Sequence, residues 1–247
     1  MTDRTDRPQH HHDDLLARLA TEPQLAGLLL DVDGVLAPIV ARPEDARVPE
    51  ETRVQLRRLH ERYALVACVS GRAAADASRI VGVPELVYVG NHGLDLHSGK
   101  EEWTSRLRDF LAGTHWPQTE NKGITAALHY RRVQDEEGAR RELEQIAARA
   151  RSAGFVARFG RKVLEVVPPL DAHKGTAVSM LLAERDLHAA LYAGDDTTDL
   201  DAFRALDGLG LAVRVAVSSD EGPPALRESA DLVVDSPAEF LSLLQRL

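Results

Sequence analysis

The sequence is poor in features that would assign it to several classes of protein. It contains one cysteine, Cys68, inside an apolar run. It therefore cannot form an internal disulfide, and this setting predicts a buried core residue rather than a reactive thiol. No apolar run approaches the roughly 20 residues that a membrane-spanning helix needs, and the N-terminus lacks the apolar stretch of a signal peptide. We therefore expect a cytoplasmic protein with no membrane partner.

An excess of positive charge is also absent. The 247 residues include 30 Lys and Arg against 39 Asp and Glu, which gives a net charge of −9. This balance argues against a general nucleic-acid-binding surface. Apolar residues make up 44% and charged residues 28%, as is usual for a soluble globular enzyme. The length suffices for one large α/β domain, or for a core with a small second domain.

Residues 1–24 are predicted to form a disordered or helical N-terminal extension, with the first twelve residues disordered. His10, His11 and His12 lie in this extension. Three adjacent histidines near a chain terminus are not expected to have a metal-binding role. No internal repeat is visible, so the fold has to be predicted from the pattern of apolar residues.

Short apolar runs alternate with helical patterns in two parts of the chain, residues 25–97 and 168–247. This alternation predicts β-α-β units and a parallel sheet. The two parts are predicted to form one catalytic core of the α/β class, with a doubly wound, mostly parallel, Rossmann-like sheet. The predicted strands are Leu25–Leu30, Ala64–Val69, Leu86–Val89, Ala189–Ala193, Leu209–Val217 and Asp231–Val234, and the predicted helices are Pro49–Tyr63, Ala73–Ile80, Lys174–Arg185 and Pro237–Leu247.

Residues 98–167 follow a different pattern and are predicted to form a small inserted α+β domain, or cap. The order of elements is predicted as helix, strand, helix, strand, strand. Ile124–Arg131 alternates apolar and polar residues, as a half-exposed strand does. The other elements are a helix at Asp135–Ala153 and strands at Phe155–Phe159 and Lys162–Val167, joined by a turn at Gly160-Arg161.

Four predicted strands end at polar groups, and ligands of open α/β sheets bind where such ends meet. Several carboxylates at one point are unfavourable unless a cation is bound, so a divalent ion is predicted there. Carboxylates, a hydroxyl, an ammonium group and a cation are also what phosphoryl transfer requires. The polar groups are Asp31/Asp33, Ser70/Arg72, Asn91/His92 and Asp195/Asp196, with Lys174 at the start of a helix.

Two of these carboxylates have the spacing of a nucleophile and its acid/base partner. An aspartate can attack phosphorus and become an aspartyl-phosphate. A second acid two residues later can protonate the leaving oxygen and then deprotonate the attacking water. Asp31 and Asp33 fit this pair. Ser70 has an alternative role as the N-cap of the helix that follows it.

Seven motifs follow one another along the chain: Leu29-Leu-Asp-Val-Asp-Gly-Val-Leu-Ala-Pro38, Val69-Ser-Gly-Arg72, Gly90-Asn-His-Gly93, His129-Tyr-Arg131, Lys162-Val-Leu-Glu-Val166, Lys174-Gly175 and Gly194-Asp-Asp-Thr-Thr-Asp199. They include, in order, motifs that resemble the four of the haloacid dehalogenase superfamily, and the full set resembles more narrowly the trehalose-6-phosphate phosphatases. The resemblance runs from about Leu28 to Leu247 and implies a Rossmann-like core with a cap.

The resemblance implies specific catalytic roles. Asp31 would be the nucleophile and a ligand of Mg²⁺. Asp33 would be the general acid/base and would ligate Mg²⁺ through its backbone carbonyl. Ser70 would hold a phosphate oxygen, and Lys174 would stabilise the nucleophile and the developing charge. Asp195 and Asp196 are expected as further metal ligands, and Asp199 is expected to support them through Lys174 or a bound water.

The resemblance also implies that the cap binds the sugar. Charged side chains form strong hydrogen bonds to hydroxyl groups, of which a disaccharide has many. Arg72 and His92 of the core are expected to contribute to the same cleft. The candidate residues of the cap are Glu120, Lys122, Arg131, Lys162 and Glu165.

The sequence departs from the family pattern at two positions. Val35 stands where the family has threonine, which removes a hydroxyl near the phosphate site. His173 stands where many relatives have an acid before the Lys-Gly pair. We do not expect the first change to abolish activity, and the second is expected to alter the charge around Lys174.

The predicted function is therefore hydrolysis of trehalose 6-phosphate to trehalose and phosphate, in trehalose biosynthesis. One alternative is a related phosphatase acting on sucrose 6-phosphate or a mannosyl phosphoglycerate, which the cap motifs disfavour. Another is a sensor that binds a sugar phosphate without turnover. The complete catalytic set argues against a sensor, which could have lost Asp31 or Lys174. The sequence predicts no oligomeric state.

Overall fold

The computed structural model of the chain describes residues 14–40, 42–131, 133–218 and 222–247. Two compact units are present. The core unit comprises the described residues up to Gly93 together with Ala172–Leu247, and the cap unit comprises Leu94–Asp171. The cap unit therefore begins before and ends after the predicted range 98–167. Most of the predicted extension, with His10, His11 and His12, lies outside the described residues, although residues 14–19 are helical.

The strands and helices alternate along most of the chain, as the apolar pattern predicts. The strands are β1 (Ala26–Leu30), β2 (Leu65–Val69), β3 (Val87–Val89), β4 (Thr119–Asn121), β5 (Ala126–His129), β6 (Val156–Gly160), β7 (Val163–Val167), β8 (Ala189–Gly194), β9 (Leu211–Val217) and β10 (Leu232–Val234). The helices are α1 (residues 14–19), α2 (Glu50–His60), α3 (Ala74–Val81), α4 (Lys100–Ala112), α5 (Glu136–Ser152), α6 (Lys174–Glu184), α7 (Asp199–Arg204), α8 (Pro224–Glu228) and α9 (Pro237–Leu244).

The core unit is built on a six-stranded sheet with the order β10-β9-β8-β1-β2-β3. Every neighbouring pair of strands is parallel, which confirms the predicted α/β class. The chain leaves β1 toward β2 and β3 and later returns to β8 on the other side of β1. The strand order thus reverses between β1 and β8, at the switch point where ligands bind in such sheets.

The central strands are apolar because a parallel sheet is covered on both faces. All five residues of β1 and all five of β2 are buried. Cys68 of β2 is a free, buried thiol, as predicted. Burial raises its pKa far above the ordinary value of a thiol, so it remains protonated and unreactive.

The cap unit contains a four-stranded antiparallel sheet with the order β4-β5-β7-β6. Two helices accompany it, α4 and α5. Asp135 caps α5, because its carboxylate accepts a hydrogen bond from the backbone amide of Gly138 at 2.8 Å. The rings of Trp103 and Phe155 pack edge to face with centroids 5.1 Å apart. A mixed unit of this kind confirms the predicted α+β cap.

The predicted order of elements in the cap is wrong at one strand. β4 precedes β5, so the order is helix, strand, strand, helix, strand, strand. The three residues of β4 are Thr, Glu and Asn and carry no apolar signal. This strand is specified by its pairing with β5 rather than by its own sequence.

The prediction that Ile124–Arg131 is a half-exposed strand is also wrong. Residues 124–128 are all buried. Ala127 breaks the expected alternation, since it is only 4% exposed. It lies directly opposite Glu120 on one side and Glu165 on the other, and a methyl group between two longer side chains is easily covered.

The turn between β6 and β7 lies one residue later than predicted. Gly160 still pairs with Val163, so the turn residues are Arg161 and Lys162. Lys162 has φ 60°, in the left-handed region. The register that places Leu164 on the buried face requires this turn, since a slip by one residue would expose it.

No helix among the described residues combines the length and the apolar character that a bilayer-spanning segment needs.

Candidate active site

The two acidic clusters of the sequence meet at the switch point of the core sheet. Asp31 follows β1 and Asp195 follows the adjacent strand β8. The Asp31 amide donates a hydrogen bond to the Ala193 carbonyl at 2.9 Å, which extends the pairing of the two strands. Carboxylate oxygens of Asp31, Asp195 and Asp199 all lie within 4.8 Å of one another. All three residues are buried.

Lys174, the first residue of α6, connects two of these carboxylates. Its Nζ donates to Asp31 Oδ2 at 2.6 Å and to Asp199 Oδ1 at 2.7 Å. The other oxygen of Asp31 accepts from the Val32 amide at 2.7 Å. The Lys174 side chain is 2% exposed, so water screens these ion pairs very little. The nucleophile candidate is thus held at both oxygens.

Asp199 organises the cluster. Its Oδ2 accepts from the backbone amides of Asp195 and Asp196, at 3.0 and 2.9 Å. Its Oδ1 accepts from Lys174 and from the hydroxyl of Tyr192 at 2.7 Å. Four donors occupy this carboxylate, so it fixes the loop after β8 and orients Lys174.

Tyr192 is a site residue that the sequence analysis missed. It is completely buried in β8, where a tyrosine in an apolar run predicts packing only. Burial and the nearby carboxylates of Asp199 and Asp31 hold the pKa of Tyr192 well above its ordinary value. The hydroxyl therefore stays protonated and donates to Asp199.

The cluster carries more negative than positive charge, because three carboxylates face one ammonium group. Burial, and then the carboxylates of Asp31 and Asp199, raise the pKa of Asp195 to about 8. Burial likewise raises the pKa of Asp31, more than Lys174 lowers it. Burial opposes the charge of Lys174, but the two carboxylates outweigh it and hold its pKa above the ordinary value. Lys174 therefore remains charged.

The residues present fit a divalent cation. Among the described residues, no hydrogen-bond donor contacts the Asp195 carboxylate, which is buried beside two other acids. Gly34 has φ +76°, and a Cβ at this position would overlap the carboxylate of Asp195. The absence of a side chain at Gly34 therefore lets Asp195 approach the loop after β1. Oxygen ligands of this kind suit Mg²⁺.

Asp33 is held by Arg72 from the loop after β2. Arg72 Nε donates to Asp33 Oδ2 at 2.6 Å and Nη2 donates to Oδ1 at 2.8 Å. The remaining Nη1 donates to Asp76 Oδ2 at 2.9 Å, in the first turn of α3. The hydrogen bond to Asp33 raises the pKa of Arg72 above its ordinary value. The predicted acid/base is thus part of an Asp-Arg-Asp network.

The loops after β2 and β3 are joined to each other. The His92 amide donates to the Ser70 carbonyl at 2.9 Å, and the Asn91 amide donates to the Arg72 carbonyl at 2.8 Å. A Cβ on Gly71 would lie 2.5 Å from the His92 ring, so the imidazole packs against this glycine. Ser70 is 1% exposed and does not cap α3, whose N-cap residue is Ala73.

Asp196 is the predicted metal ligand that the structure leaves apart from the cluster. Its side chain is exposed, and its Oδ1 accepts from the Thr197 amide at 2.6 Å. His173 caps α6 by accepting from the Thr176 amide at 3.4 Å. Val35 is completely buried in the apolar core. Both departures from the family pattern therefore have structural roles.

The candidate residues of the cap separate into two groups. Glu120 and Glu165 lie opposite Ala127 on either side, so all three face the same side of the sheet. Two strand spacings, about 9–10 Å, separate the glutamates. Glu120 pairs with Lys122 at 3.9 Å and with His129 at 3.1 Å.

Lys162 contacts α5 instead. Lys162 Nζ is 2.5 Å from Glu136 Oε1, at the start of that helix. The structure thus places Lys162 in an ion pair at the hairpin turn, apart from Glu120 and Glu165. Arg131 is exposed in the turn that follows β5.

Comparisons with known proteins identify the fold first. A haloacid dehalogenase-like hydrolase from Bacteroides thetaiotaomicron superposes with a TM-score of 0.60 at 14% identity, covering 90% of this chain and 98% of the other. A trehalose-6-phosphate phosphatase related protein superposes with a TM-score of 0.65 at 24% identity, covering 89% and 95%. The parallel sheet and the cap therefore define a haloacid dehalogenase-like fold.

The family follows from the sequence. A family model described as trehalose-phosphatase matches residues 29–238. The trehalose-phosphate phosphatase of Mycobacterium ulcerans (strain Agy99) is 33% identical over 245 residues, covering 89% of this chain and 60% of the relative. The trehalose-phosphate phosphatase of Mycobacterium marinum (strain ATCC BAA-535 / M) is similar to the same extent, at 33% identity over 245 residues. The chain belongs to the trehalose-phosphatase family, and it spans 60% of the length of these two relatives.

Proposed function

We propose that the chain is a magnesium-dependent phosphatase that hydrolyses trehalose 6-phosphate to trehalose and inorganic phosphate, as a step of trehalose biosynthesis in the cytoplasm. The observation that carries the proposal is the buried contact of Lys174 with Asp31, 2.6 Å long, beside the carboxylate of Asp195. A carboxylate oriented by an ammonium group, at the switch point of an α/β sheet, is suited to attack phosphorus. Family membership supports the same reaction class.

The reaction has two steps. In the first, a carboxylate oxygen of Asp31 forms a bond to phosphorus, the bond from phosphorus to the sugar oxygen breaks, and Asp33 donates its proton to that oxygen. In the second, Asp33 takes a proton from water, the water oxygen attacks phosphorus, and the acyl-phosphate bond to Asp31 breaks. Lys174 orients Asp31 and offsets negative charge in both steps. Ser70 holds a phosphate oxygen.

Mg²⁺ would be held by the carboxylates of Asp31 and Asp195 and the backbone carbonyl of Asp33. Asp199 is not included, because its oxygens already accept four hydrogen bonds. When bound, the ion offsets the charge of the transferring phosphoryl group. The exclusion of bulk water from so buried a cluster strengthens each of these interactions.

The sugar-binding surface is proposed on the cap sheet, at Glu120, Lys122 and Glu165. Two carboxylates on the same face of a sheet, about 9–10 Å apart, can accept hydrogen bonds from hydroxyl groups on different parts of a disaccharide. Arg131, Lys162 and His92 remain further candidates. The negative net charge supports a small-molecule substrate rather than nucleic acid.

A panel of phosphate esters tests the proposal. Phosphate release is measured from trehalose 6-phosphate, sucrose 6-phosphate and a mannosyl phosphoglycerate, with Mg²⁺ and with chelator. We expect release only with Mg²⁺, and a kcat/KM for trehalose 6-phosphate at least about 100-fold above the others, since a site built to pair with hydroxyl groups discriminates strongly. Equal turnover of all three esters would contradict the proposal that trehalose 6-phosphate is the specific substrate. Binding of trehalose 6-phosphate without release from any ester would contradict the enzyme assignment.

A further inference from the structure

Arg72 was predicted to bind substrate, but its donors are directed elsewhere. Nε and Nη2 form a fork on the two oxygens of Asp33, at 2.6 and 2.8 Å, and Nη1 contacts Asp76 at 2.9 Å. The side chain is only 16% exposed. Three N–H groups of the guanidinium therefore bind Asp33 and Asp76. A phosphate or sugar could bind Nε and Nη2 only by displacing both hydrogen bonds to Asp33.

Asp33 lacks a comparable restraint elsewhere. Its side chain is 39% exposed, and it lies in the irregular segment that follows β1. Among the described residues, the fork of Arg72 is the only side-chain contact of its carboxylate. A bidentate arginine fixes the plane of a carboxylate as well as its position. Each carboxylate oxygen has two lone pairs, so the fork leaves one on each oxygen for a proton.

Arg72 is itself held from the opposite side. Asp76 lies in the first turn of α3, a regular element of the core unit. Asp76 Oδ1 also accepts from Arg79 at 2.5 Å, so its carboxylate is fixed from both ends. The Asn91 amide holds the Arg72 carbonyl. The guanidinium plane is thus anchored on a helix and on the loop after β3.

We propose that Arg72 is a positioning residue that holds the Asp33 carboxylate in place for proton transfer, with Asp76 as its support. This inference rests on the proposed function, in which Asp33 is the general acid/base. It replaces the predicted contact of Arg72 with substrate. The two roles differ in the step they affect: loss of a positioning residue slows proton transfer, whereas loss of a substrate contact weakens binding.

Substrates with different leaving groups separate the two roles. Departure of the sugar oxygen requires a proton, whereas nitrophenolate departs without one. The variants are Arg72→Lys, which keeps the charge but not the fork, and Asp76→Asn, which removes the support. Arg57→Lys is the matched control, because Arg57 pairs with Glu50 at 3.2 Å on α2 and lies outside the network of Asp33, Arg72 and Asp76. kcat and KM are measured for trehalose 6-phosphate and for p-nitrophenyl phosphate.

For Arg72→Lys we expect kcat/KM with trehalose 6-phosphate to fall about 100-fold, mostly in kcat, which is the usual contribution of a general acid. With p-nitrophenyl phosphate, kcat/KM should change by less than about threefold, because it reports only the steps through phosphoryl transfer. Asp76→Asn should show the same selectivity with a loss of about tenfold, as expected of an indirect contact. Arg57→Lys should match the wild-type protein on both substrates.

Three outcomes would overturn the proposal. A rise in KM for trehalose 6-phosphate at unchanged kcat would assign Arg72 to substrate binding. Equal losses on both substrates would assign it to phosphoryl transfer. If Arg72→Lys does not fold, wild-type values of kcat and KM for Asp76→Asn on both substrates would show that Asp76 does not support Arg72. Failure of the proposed function is distinguishable, since the wild-type protein would then release no phosphate from trehalose 6-phosphate.

Discussion

The buried acidic cluster of the core and the glutamate face of the cap use the same kind of side chain in opposite ways. In the core, Asp31, Asp195 and Asp199 are buried and face the ammonium group of Lys174. In the cap, Glu120 and Glu165 are exposed to solvent. Glu120 contacts Lys122 and His129, and its side chain remains 51% exposed.

The two regions differ in the property that their proposed roles require. Phosphoryl transfer needs charges fixed before the reaction begins, and burial makes each fixed charge more effective. Recognition of a sugar needs polar groups that are accessible and that exchange water for hydroxyl groups. We expect substitutions in the buried acidic cluster to act on the chemical step for every substrate, and substitutions in the cap to act on binding of the sugar alone.

Lys174→Met should have the largest effect, on both the activity and the stability of the core cluster. Removal of the ammonium group leaves two buried carboxylates without their counter-ion, so we expect kcat to fall about 100- to 1000-fold. The loss should be equal for trehalose 6-phosphate and p-nitrophenyl phosphate, since both require Asp31. The unfolding free energy should fall by roughly 3 kcal/mol, as when a buried ion pair loses one partner.

Lys100→Met is the control for that substitution. Lys100 is 41% exposed and lies 3.7 Å from its partner Asp95, so kinetics and stability should stay near the wild-type values. An activity loss restricted to trehalose 6-phosphate in Lys174→Met would contradict the core assignment.

Glu165→Gln should isolate the cap side. We expect KM for trehalose 6-phosphate to rise about tenfold, because a hydrogen bond to a charged group contributes about 1.5–3 kcal/mol. The p-nitrophenyl phosphate kinetics should not change, and stability should stay within about 0.5 kcal/mol, as for other exposed positions. Steady-state kinetics with the two substrates check this.

Glu144→Gln is the matched control on α5, where the glutamate is 57% exposed and pairs with Arg140. A rise in KM as large in this variant as in Glu165→Gln would show that the face of the cap sheet has no special role.

The pH dependence of stability should show a smaller effect that is specific to the core cluster. The pKa of Asp195 is raised from 3.8 to about 8. Between these values the metal-free folded protein binds more protons than the unfolded chain, so its stability falls as pH rises through this window. Mg²⁺ competes with the proton. The increase in Tm caused by Mg²⁺ should therefore be a few degrees larger at about pH 8 than at about pH 5.5.

Substitutions at two neighbouring residues test whether Asp195 causes the increase in Tm with Mg²⁺. Asp195→Asn should lose most of the Mg²⁺ response, whereas Asp196→Asn should keep it, since the exposed Asp196 carboxylate lies outside the cluster. Thermal unfolding at both pH values measures this. An equal response of Asp195→Asn and the wild-type protein would contradict the proposed ligand set.

Much of this arrangement could be predicted from sequence, because strand ends are marked by local signals. Apolar runs that stop at Asp31, Ser70 and Asp195 locate the edge of the sheet where these residues gather. Parallel pairing of β1 with β8 then brings Asp31 and Asp195 to neighbouring strand ends. The change of apolar pattern over residues 98–167, and the return of the β-α-β pattern after it, likewise predict the cap as an insertion.

The rest depends on geometry that no local pattern encodes. Tyr192 lies inside an apolar strand, and its hydroxyl finds Asp199 only because the loop after β8 turns back. The fork of Arg72 on Asp33 joins residues 39 positions apart, through the register of β1 and β2. β4 has no apolar residue and is formed by pairing with its neighbour.

Detection of the covalent intermediate is the most direct test that Asp31 is the nucleophile. Asp33→Asn protein is mixed with Mg²⁺ and p-nitrophenyl phosphate, whose leaving group needs no proton, so that Asp31 is phosphorylated while the hydrolysis that requires Asp33 is blocked. The protein is then quenched in acid and digested for mass spectrometry. The account predicts one phosphoryl group on the peptide that contains residue 31, and neither this group nor phosphate release in Asp31→Asn. Phosphorylation at another residue, or unchanged phosphate release by Asp31→Asn, would contradict it.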